Sequence, residues 1–169
     1  MKEGNYLQYV FLYERPYRLE AFKAIVTGKA INKTDPATYW KLLGRIWVDS
    51  ENIWQNFIQW KQLWSDPSAH RRIVMDEDEL AALDDLPETV SIYRGAAFRS
   101  TRWGLSWTTN YDKAVWFGKR GARDAKVFVL SGKVKKENVL AHFLGRSEDE
   151  IVALPHNITD RKEEVIARV

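Results

Sequence analysis

The feature of this sequence that most limits its possible folds is a change of periodicity near Leu86 and Pro87. Before this point apolar residues recur at helical spacing, whereas after it short runs of β-branched and aromatic residues predict strands. A helical half followed by a strand-rich half predicts an α+β fold. Because no flexible linker separates the halves, we expect one domain over residues 1–169, with a mainly helical layer over 1–86 and a strand-rich half over 87–169.

The apolar spacing predicts helices and strands at definite places. Asp35 supplies an N-cap and Pro36 a first-turn proline, and Gly28 ends an earlier helix. The tryptophans of the helical half are interpreted as core packing, because their spacing matches one helix face. The predicted helices lie near 15–27, 36–47, 53–64, 77–83 and 111–119. The predicted strands lie near 90–93, 126–130, 138–143, 150–154 and 164–169.

Composition excludes several classes of protein. Apolar residues make up 45% of the chain, which includes eight tryptophans and no cysteine. A packed core is therefore expected, and disulfides and thiolate metal sites are excluded. The three histidines are scattered, so no metal site is predicted. We expect neither a signal peptide nor membrane insertion, because the N-terminus lacks a cleavage site and no apolar run approaches the roughly 18 residues that a span needs.

The first segment that could carry chemistry is Tyr93-Arg94-Gly95. Arg94 follows a predicted strand, and its guanidinium can bind carboxylate or phosphate oxygens in a forked geometry. The glycine after it would let a ligand approach the backbone. The alternative is a surface arginine that closes a strand.

The second segment is the hydroxyl-rich stretch that starts at Ser106. If this stretch is extended, Ser106 and Thr108 share one face while Trp107 points to the other. Thr109 or Asn110 can cap the helix that follows, which gives the later polar groups a structural alternative. Of the tryptophans, only Trp103 and Trp107 are kept as site candidates.

The third segment is the acidic run Glu148-Asp149-Glu150, which leads directly into an apolar stretch. On an extended strand, Glu148 and Glu150 point to the same side and Asp149 to the other. Two neighbouring carboxylates repel each other, which shifts their pKa values and suits chemistry better than stability. A competing acidic pair at Glu163-Glu164 lacks both this spacing and the proline that follows.

In this order, the three segments and the Ala114-x-x-Phe117 helix resemble the mono-ADP-ribosyltransferases of the Arg-Ser-Glu class. That class includes cholera-toxin-like toxins, vertebrate ecto-enzymes and phage-encoded transferases. The resemblance covers residues 90–155. It implies a helical layer packed on a split two-sheet core, NAD as co-substrate and no metal. It also implies transfer of ADP-ribose to a protein, with arginine as the acceptor, and release of nicotinamide.

The resemblance also implies roles for individual residues. Glu150 matches the catalytic glutamate, Glu148 the carboxylate that receives the acceptor, and Ser106 the serine that supports them. Trp107 departs from the family, which has a small residue at this position. The implied cofactor-binding residues are Arg94, Gly95, Tyr93, Thr108, Trp107 and Phe117. The implied acceptor loop contains Phe143 and Arg146.

The chemistry explains why carboxylates are needed. Breaking the bond between nicotinamide and ribose places positive charge on the ribose, as in glycoside hydrolysis, and a carboxylate such as Glu150 stabilises that charge. Glu148 could hold a guanidinium and help to remove its proton. Two alternatives stay open: an NAD glycohydrolase with water as acceptor, and a non-catalytic module of the same fold that binds a protein or a nucleic acid.

The partners and the location are also matters of expectation. The net charge is +3, and basic residues concentrate in 119–136, where they could contact nucleic acid, an acidic protein or NAD itself, or simply remain solvated. The resemblance implies a protein target and a bacterial cytoplasm, that of the host cell if the protein is phage-encoded.

Overall fold

The protein has an α+β architecture with its helices concentrated in the first half, as the sequence predicts. A computed structural model describes residues 6–28, 35–51, 53–66, 69–98, 101–121, 126–145 and 148–167. Within these ranges lie six α-helices and six β-strands. Five of the helices precede the first strand, and the sixth lies between the second and third strands.

The predicted helices are present, with changes at their starts. Short 3-10 turns over Arg15–Tyr17 and Ile53–Asn56 replace the first residues of two of them, and the first helix was not predicted. No helix in the described ranges is long and apolar enough to cross a bilayer. The helices are α1 (Tyr6–Phe11), α2 (Arg18–Thr27), α3 (Pro36–Asp49), α4 (Phe57–Trp64), α5 (Glu77–Asp84) and α6 (Tyr111–Gly121).

Local sequence signals fix several helix ends. The Asp35 carboxylate accepts a hydrogen bond from the backbone N–H of Thr38 at 3.3 Å, and so satisfies one of the free donors at the start of α3. Gly28 follows the last residue of α2, where the sequence places the stop. Asp76 and Glu79 form a reciprocal capping box at the start of α5, with bonds of 2.9 and 3.0 Å.

The described strands form one antiparallel sheet in the order β4-β5-β2-β1-β3-β6. This single sheet differs from the split two-sheet core that the family resemblance implies. A single registered pair, Tyr93 with Thr108, joins β2 to β1, whereas β1 pairs with β3 from Thr89 to Ala96. The strands are β1 (Thr89–Ala96), β2 (Ser106–Thr108), β3 (Lys126–Lys135), β4 (Val139–Phe143), β5 (Glu150–Ala153) and β6 (Ile158–Ala167).

Tryptophans of the helical half pack against the sheet in one continuous core. The Trp47 ring lies edge-on to Trp60 and Trp64, at 5.0 and 5.3 Å between centroids, and Trp64 contacts Phe143 of β4 at 6.4 Å. The predicted core role is confirmed for these residues and wrong for Trp54, which is 54% exposed. Trp54 lies in the 3-10 turn, whose tighter pitch takes it off the face shared by α4.

Candidate active site

Four of the predicted site residues form one row across the sheet. Tyr93 of β1 lies opposite Thr108 of β2, Thr108 lies opposite Glu150 of β5, and Glu150 lies opposite Phe143 of β4. Directly opposed residues of antiparallel strands point to the same face. Ser106 is two residues before Thr108 and therefore shares that face. The non-local strand order thus brings together segments that are far apart in the sequence.

Glu150 is the electrostatic centre of this row. Its pKa is raised to about 7, with burial as the main cause and the charge of Glu148 as a smaller one. The nearby Ser106 hydroxyl and the positive charge of Arg94 act in the opposite direction. Glu150 is the first residue of β5 and keeps partial access to solvent, which a residue that meets a substrate requires.

Trp47 is a further neighbour of Glu150, and sequence reasoning assigned it to the core alone. Its indole N–H favours the charged form of the carboxylate. This nitrogen is buried and, among the described residues, has no partner within full hydrogen-bond geometry. It is therefore close to Glu150 without a formal bond. The helical spacing places Trp47 on the buried face of α3, but no local signal shows which strand residue it meets.

Arg94 lies within β1 rather than at its end, since the strand continues to Ala96. Its Nη1 donates to the carbonyl of Ser106 at 2.6 Å, its Nε to that of Arg102 at 3.1 Å and its Nη2 to that of Thr101 at 3.2 Å. Desolvation lowers the pKa of Arg94 to about 10, and the nearby Glu150 opposes this change. A guanidinium has five N–H groups. These bonds, with a longer one from Nε to the Thr101 carbonyl at 3.4 Å, engage three of them, and the other two have no hydrogen-bond partner within the described part of the chain.

Two glycines allow the close packing around Arg94. A Cβ added to Gly104 would lie 2.5 Å from the Arg94 Cζ, so a larger residue cannot occupy this position without displacing the guanidinium. A Cβ on Gly95 would lie 1.8 Å from the carbonyl oxygen of Ala114, where α6 crosses β1. Gly95 therefore has a packing role, whether or not its backbone also meets a ligand. Gly104 was not predicted as a site residue.

The acidic run departs from the predicted extended backbone. The strand starts only at Glu150, and Asp149 has a left-handed conformation with φ of 50°. The prediction that alternation along a strand aligns Glu148 with Glu150 is therefore wrong in its premise. The charge of Glu148 nevertheless contributes to the raised pKa of Glu150. Asp149 does not simply face solvent, since its Oδ1 lies 3.4 Å from His142 Nε2.

Thr108 links the acidic run to β2 and to the following helix. Its buried hydroxyl donates to the backbone carbonyl of Glu148 at 2.8 Å and accepts from the backbone N–H of Asn110 at 3.1 Å. The Asn110 side chain in turn accepts from the N–H of Lys113, which confirms its predicted role as the cap of α6. Thr108 thus positions Glu148 through its main chain.

The remaining predicted residues are less directly connected with Glu150. Trp107 is 2% exposed and its indole N–H donates to the Gly104 carbonyl at 3.0 Å, so the structure gives it a core role. Phe143 is buried in β4 rather than held in a loop. Phe117 lies on α6, partly buried beside Trp116 at 5.0 Å. Arg146 lies outside the described residues.

A cleft of about 590 Å³ lies against the segment 101–104, whose Thr101 and Arg102 carbonyls hold the Arg94 guanidinium. Thr101 and Gly104, which surround the guanidinium, form part of its wall. The opposite wall comes from the start of α4 and the turn before it. The described lining side chains are all uncharged, and four of them are large and apolar: the described lining residues are Trp54, Gln55, Phe57, Ile58, Gln59, Thr101, Trp103 and Gly104. Such a cleft suits a planar, uncharged ring.

Two other predicted features have partners of their own. In the basic segment, Lys133 pairs with Asp160 at 3.2 Å and Lys135 with Glu137 at 3.5 Å, which leaves less free positive charge for nucleic acid. Residues 122–125 of this segment lie outside the described ranges.

The competing acids of β6 are likewise engaged. Glu163 pairs with Arg102, and Glu164 accepts a hydrogen bond from Tyr111. Within the described part of the chain, no group of three or more histidine, aspartate or glutamate side chains could hold a metal ion.

The chain matches no protein-family model, no curated protein and no solved structure. The interpretation of the site therefore rests on its own geometry and chemistry.

Proposed function

We propose that this protein is a mono-ADP-ribosyltransferase, which cleaves NAD and transfers ADP-ribose to a guanidinium group of a protein. The observation that carries the proposal is the convergence of Arg94, Ser106 and Glu150. Arg94 lies in β1, Ser106 in β2 and Glu150 in β5. Arg94 donates to the carbonyl of Ser106, and Ser106 and Arg94 both lower the pKa of Glu150. The charge of Glu150 in turn raises the pKa of Arg94.

The residues around the cleft fit the parts of NAD. Its described wall offers Trp54, Phe57 and Trp103 to a planar ring, and the two Arg94 N–H groups without a partner among the described residues can donate to phosphate or ribose oxygens. A side chain at Gly104 would displace the guanidinium, so glycine at this position keeps Arg94 in place beside the cleft. These features support a dinucleotide substrate, one of whose planar rings stacks in the cleft beside Arg94.

The reaction breaks the C–N bond between ribose and nicotinamide, and the electron pair leaves with nicotinamide. The ionised carboxylate of Glu150 stabilises the positive charge that develops on the ribose. A new C–N bond then forms to a guanidino nitrogen of the acceptor, which gives up one proton. Glu148, whose charge acts on Glu150, would accept this proton and hold the guanidinium by charge-assisted hydrogen bonds.

The pKa of Glu150 predicts how NAD cleavage depends on pH. A carboxyl group with a pKa of about 7 is largely protonated below neutrality, and only its ionised form stabilises a cation. NAD cleavage is therefore expected to increase as the pH rises through about 7.

Labelled NAD, with agmatine as a small guanidinium acceptor and a bacterial lysate as a source of protein acceptors, tests this function. Wild-type protein should release nicotinamide and label both acceptors. Glu150→Gln should abolish both reactions, and Glu148→Gln should abolish labelling while nicotinamide release persists. Glu137→Gln is the matched control, because Glu137 is an exposed glutamate outside the site.

The possible outcomes separate the alternatives. Release of nicotinamide without labelling of any acceptor would identify an NAD glycohydrolase. Neither release nor labelling would refute both enzymatic functions and leave a non-catalytic binding module of the same fold.

A further inference from the structure

The backbone that carries the two glutamates is held at three successive residues. The Thr108 hydroxyl holds the carbonyl of Glu148, and the ladders with β2 and β4 hold Glu150. Between them, Asp149 is held by a side-chain contact with His142 of β4. The first two contacts belong to the site already described, whereas the third has no role in the proposed reaction.

Asp149 has a conformation that needs support. Its φ of 50° lies in the left-handed region, where the Cβ of an ordinary residue crowds the following carbonyl oxygen. Aspartate tolerates this region better than most residues, because its short carboxylate can form a local hydrogen bond. The direction in which Glu148 leaves the strand depends on this φ. A relaxation of Asp149 would therefore move Glu148 relative to Glu150.

His142 is an unusual residue for its position. It lies in a strand whose five residues are all buried, and its side chain is 5% exposed, whereas that of Asp149 is 48% exposed. A buried imidazole that lacks partners loses the hydrogen bonds it makes with water. Its Nδ1 has no partner among the described residues, so the 3.4 Å contact from Nε2 to Asp149 is its polar anchor.

We propose that His142 is a positioning residue, which holds Asp149 in its left-handed conformation and thereby fixes Glu148 beside Glu150. This inference rests on the proposed function, because it assigns acceptor alignment to the contact. Glu150 is fixed separately by the two ladders and by Ser106. Loss of the contact should therefore impair transfer to the acceptor more than it impairs cleavage of NAD.

The test measures two products in the same reaction: nicotinamide, and ADP-ribose attached to agmatine. His142→Val removes the ring and keeps a residue suited to a buried strand. His142→Gln keeps an amide donor near the position of Nε2, so it serves as the conservative rescue. Asp149→Gly removes the carboxylate but adopts a positive φ without strain.

One lost hydrogen bond corresponds to roughly a three- to tenfold change. His142→Val and Asp149→Gly should each lower the ratio of transfer to nicotinamide release by this factor, and His142→Gln should return close to the wild-type ratio. An unchanged ratio in Asp149→Gly would show that the backbone conformation alone is sufficient, and would overturn the proposal. An equal fall of both products in every variant would also overturn it, because it would indicate general damage to the fold.

A double-mutant cycle measured by thermal melting keeps this test distinct from the test of the function. If the contact is real, the double variant His142→Val/Asp149→Gly should melt no lower than the less stable single variant. Additive losses of melting temperature would show that the two residues act independently and would refute the contact. If the wild-type protein releases no nicotinamide and labels no acceptor, the proposed function fails, whereas the melting cycle still decides whether the contact exists.

Discussion

Replacement of Glu150 by glutamine is expected to make the folded protein more stable at neutral and alkaline pH. The carboxyl group has a pKa of about 7 in the folded chain against an ordinary value of 4.5, mainly because folding buries it. Between these two values the unfolded chain has lost the proton and the folded chain still holds it. The free energy of unfolding of the wild-type protein therefore falls across this range and stays lower above it.

The size of the effect follows from the pKa. One pKa unit corresponds to about 1.4 kcal/mol, so the full difference amounts to roughly 3 kcal/mol above neutrality. Partial solvent access of Glu150 and an extra amide group in the variant both reduce the gain. We expect the free energy of unfolding of Glu150→Gln to exceed that of the wild type by about 1 to 3 kcal/mol near pH 8.5, and by about zero near pH 4.

Urea unfolding followed by tryptophan fluorescence measures this difference directly, because Trp40, Trp47, Trp60 and Trp64 are all buried. Midpoints and slopes should be recorded at several pH values from about 4 to about 8.5 for the wild type and the variant. Glu137→Gln provides the control, because an exposed carboxylate contributes little at any pH. A difference between wild type and Glu150→Gln that does not change with pH would refute the reasoning. So would a variant that is less stable at alkaline pH.

Three further substitutions probe the surroundings of the site. Gly104→Ala should lower the free energy of unfolding, measured in urea, by about 1 to 3 kcal/mol, because its Cβ would lie 2.5 Å from the guanidinium carbon of Arg94. Gly145→Ala is the control, because its Cβ would meet nothing within 4 Å and should change the free energy of unfolding little. Equal effects of the two substitutions would contradict this account. Thr108→Val removes the bond to the Glu148 carbonyl and should destabilise the protein by about 1 kcal/mol, with a larger loss of agmatine labelling than of nicotinamide release; an equal loss of both would argue against its positioning role. Trp54→Ala should leave the melting temperature nearly unchanged, because the side chain is 54% exposed, but should raise the KM for NAD, and an unchanged KM would exclude this side of the cleft from binding.

Local signals in the sequence predict most of the secondary structure. The apolar periodicity places α3 and α5, and the residues Asp35, Pro36 and Gly28 mark helix ends where the structure has them. Each of these features depends on neighbours within about four residues along the chain. The exposure of Trp54 was not predicted, because periodicity alone does not distinguish a 3-10 turn from the first turn of a helix.

The arrangement of the site depends on contacts that no short stretch of sequence contains. The row through Tyr93, Thr108 and Glu150 depends on β2 lying between β1 and β5, an order set by long-range pairing. The left-handed Asp149 interrupts what the sequence pattern predicts as a continuous strand. The contact between Trp47 and Glu150 depends on the packing of the helical layer against the sheet. The residue types in the sequence therefore identify the candidate site residues, whereas only the fold shows how these residues are arranged.

The measurement that tests the central claim most directly is the pH dependence of nicotinamide release from NAD. The wild-type rate should increase as the pH rises through about 7, because Glu150 must lose its proton before it can stabilise the ribose cation. Glu150→Gln should release no nicotinamide at any pH, although we expect it to fold and to be more stable than the wild type at alkaline pH. Release by Glu150→Gln at the wild-type rate would contradict the account.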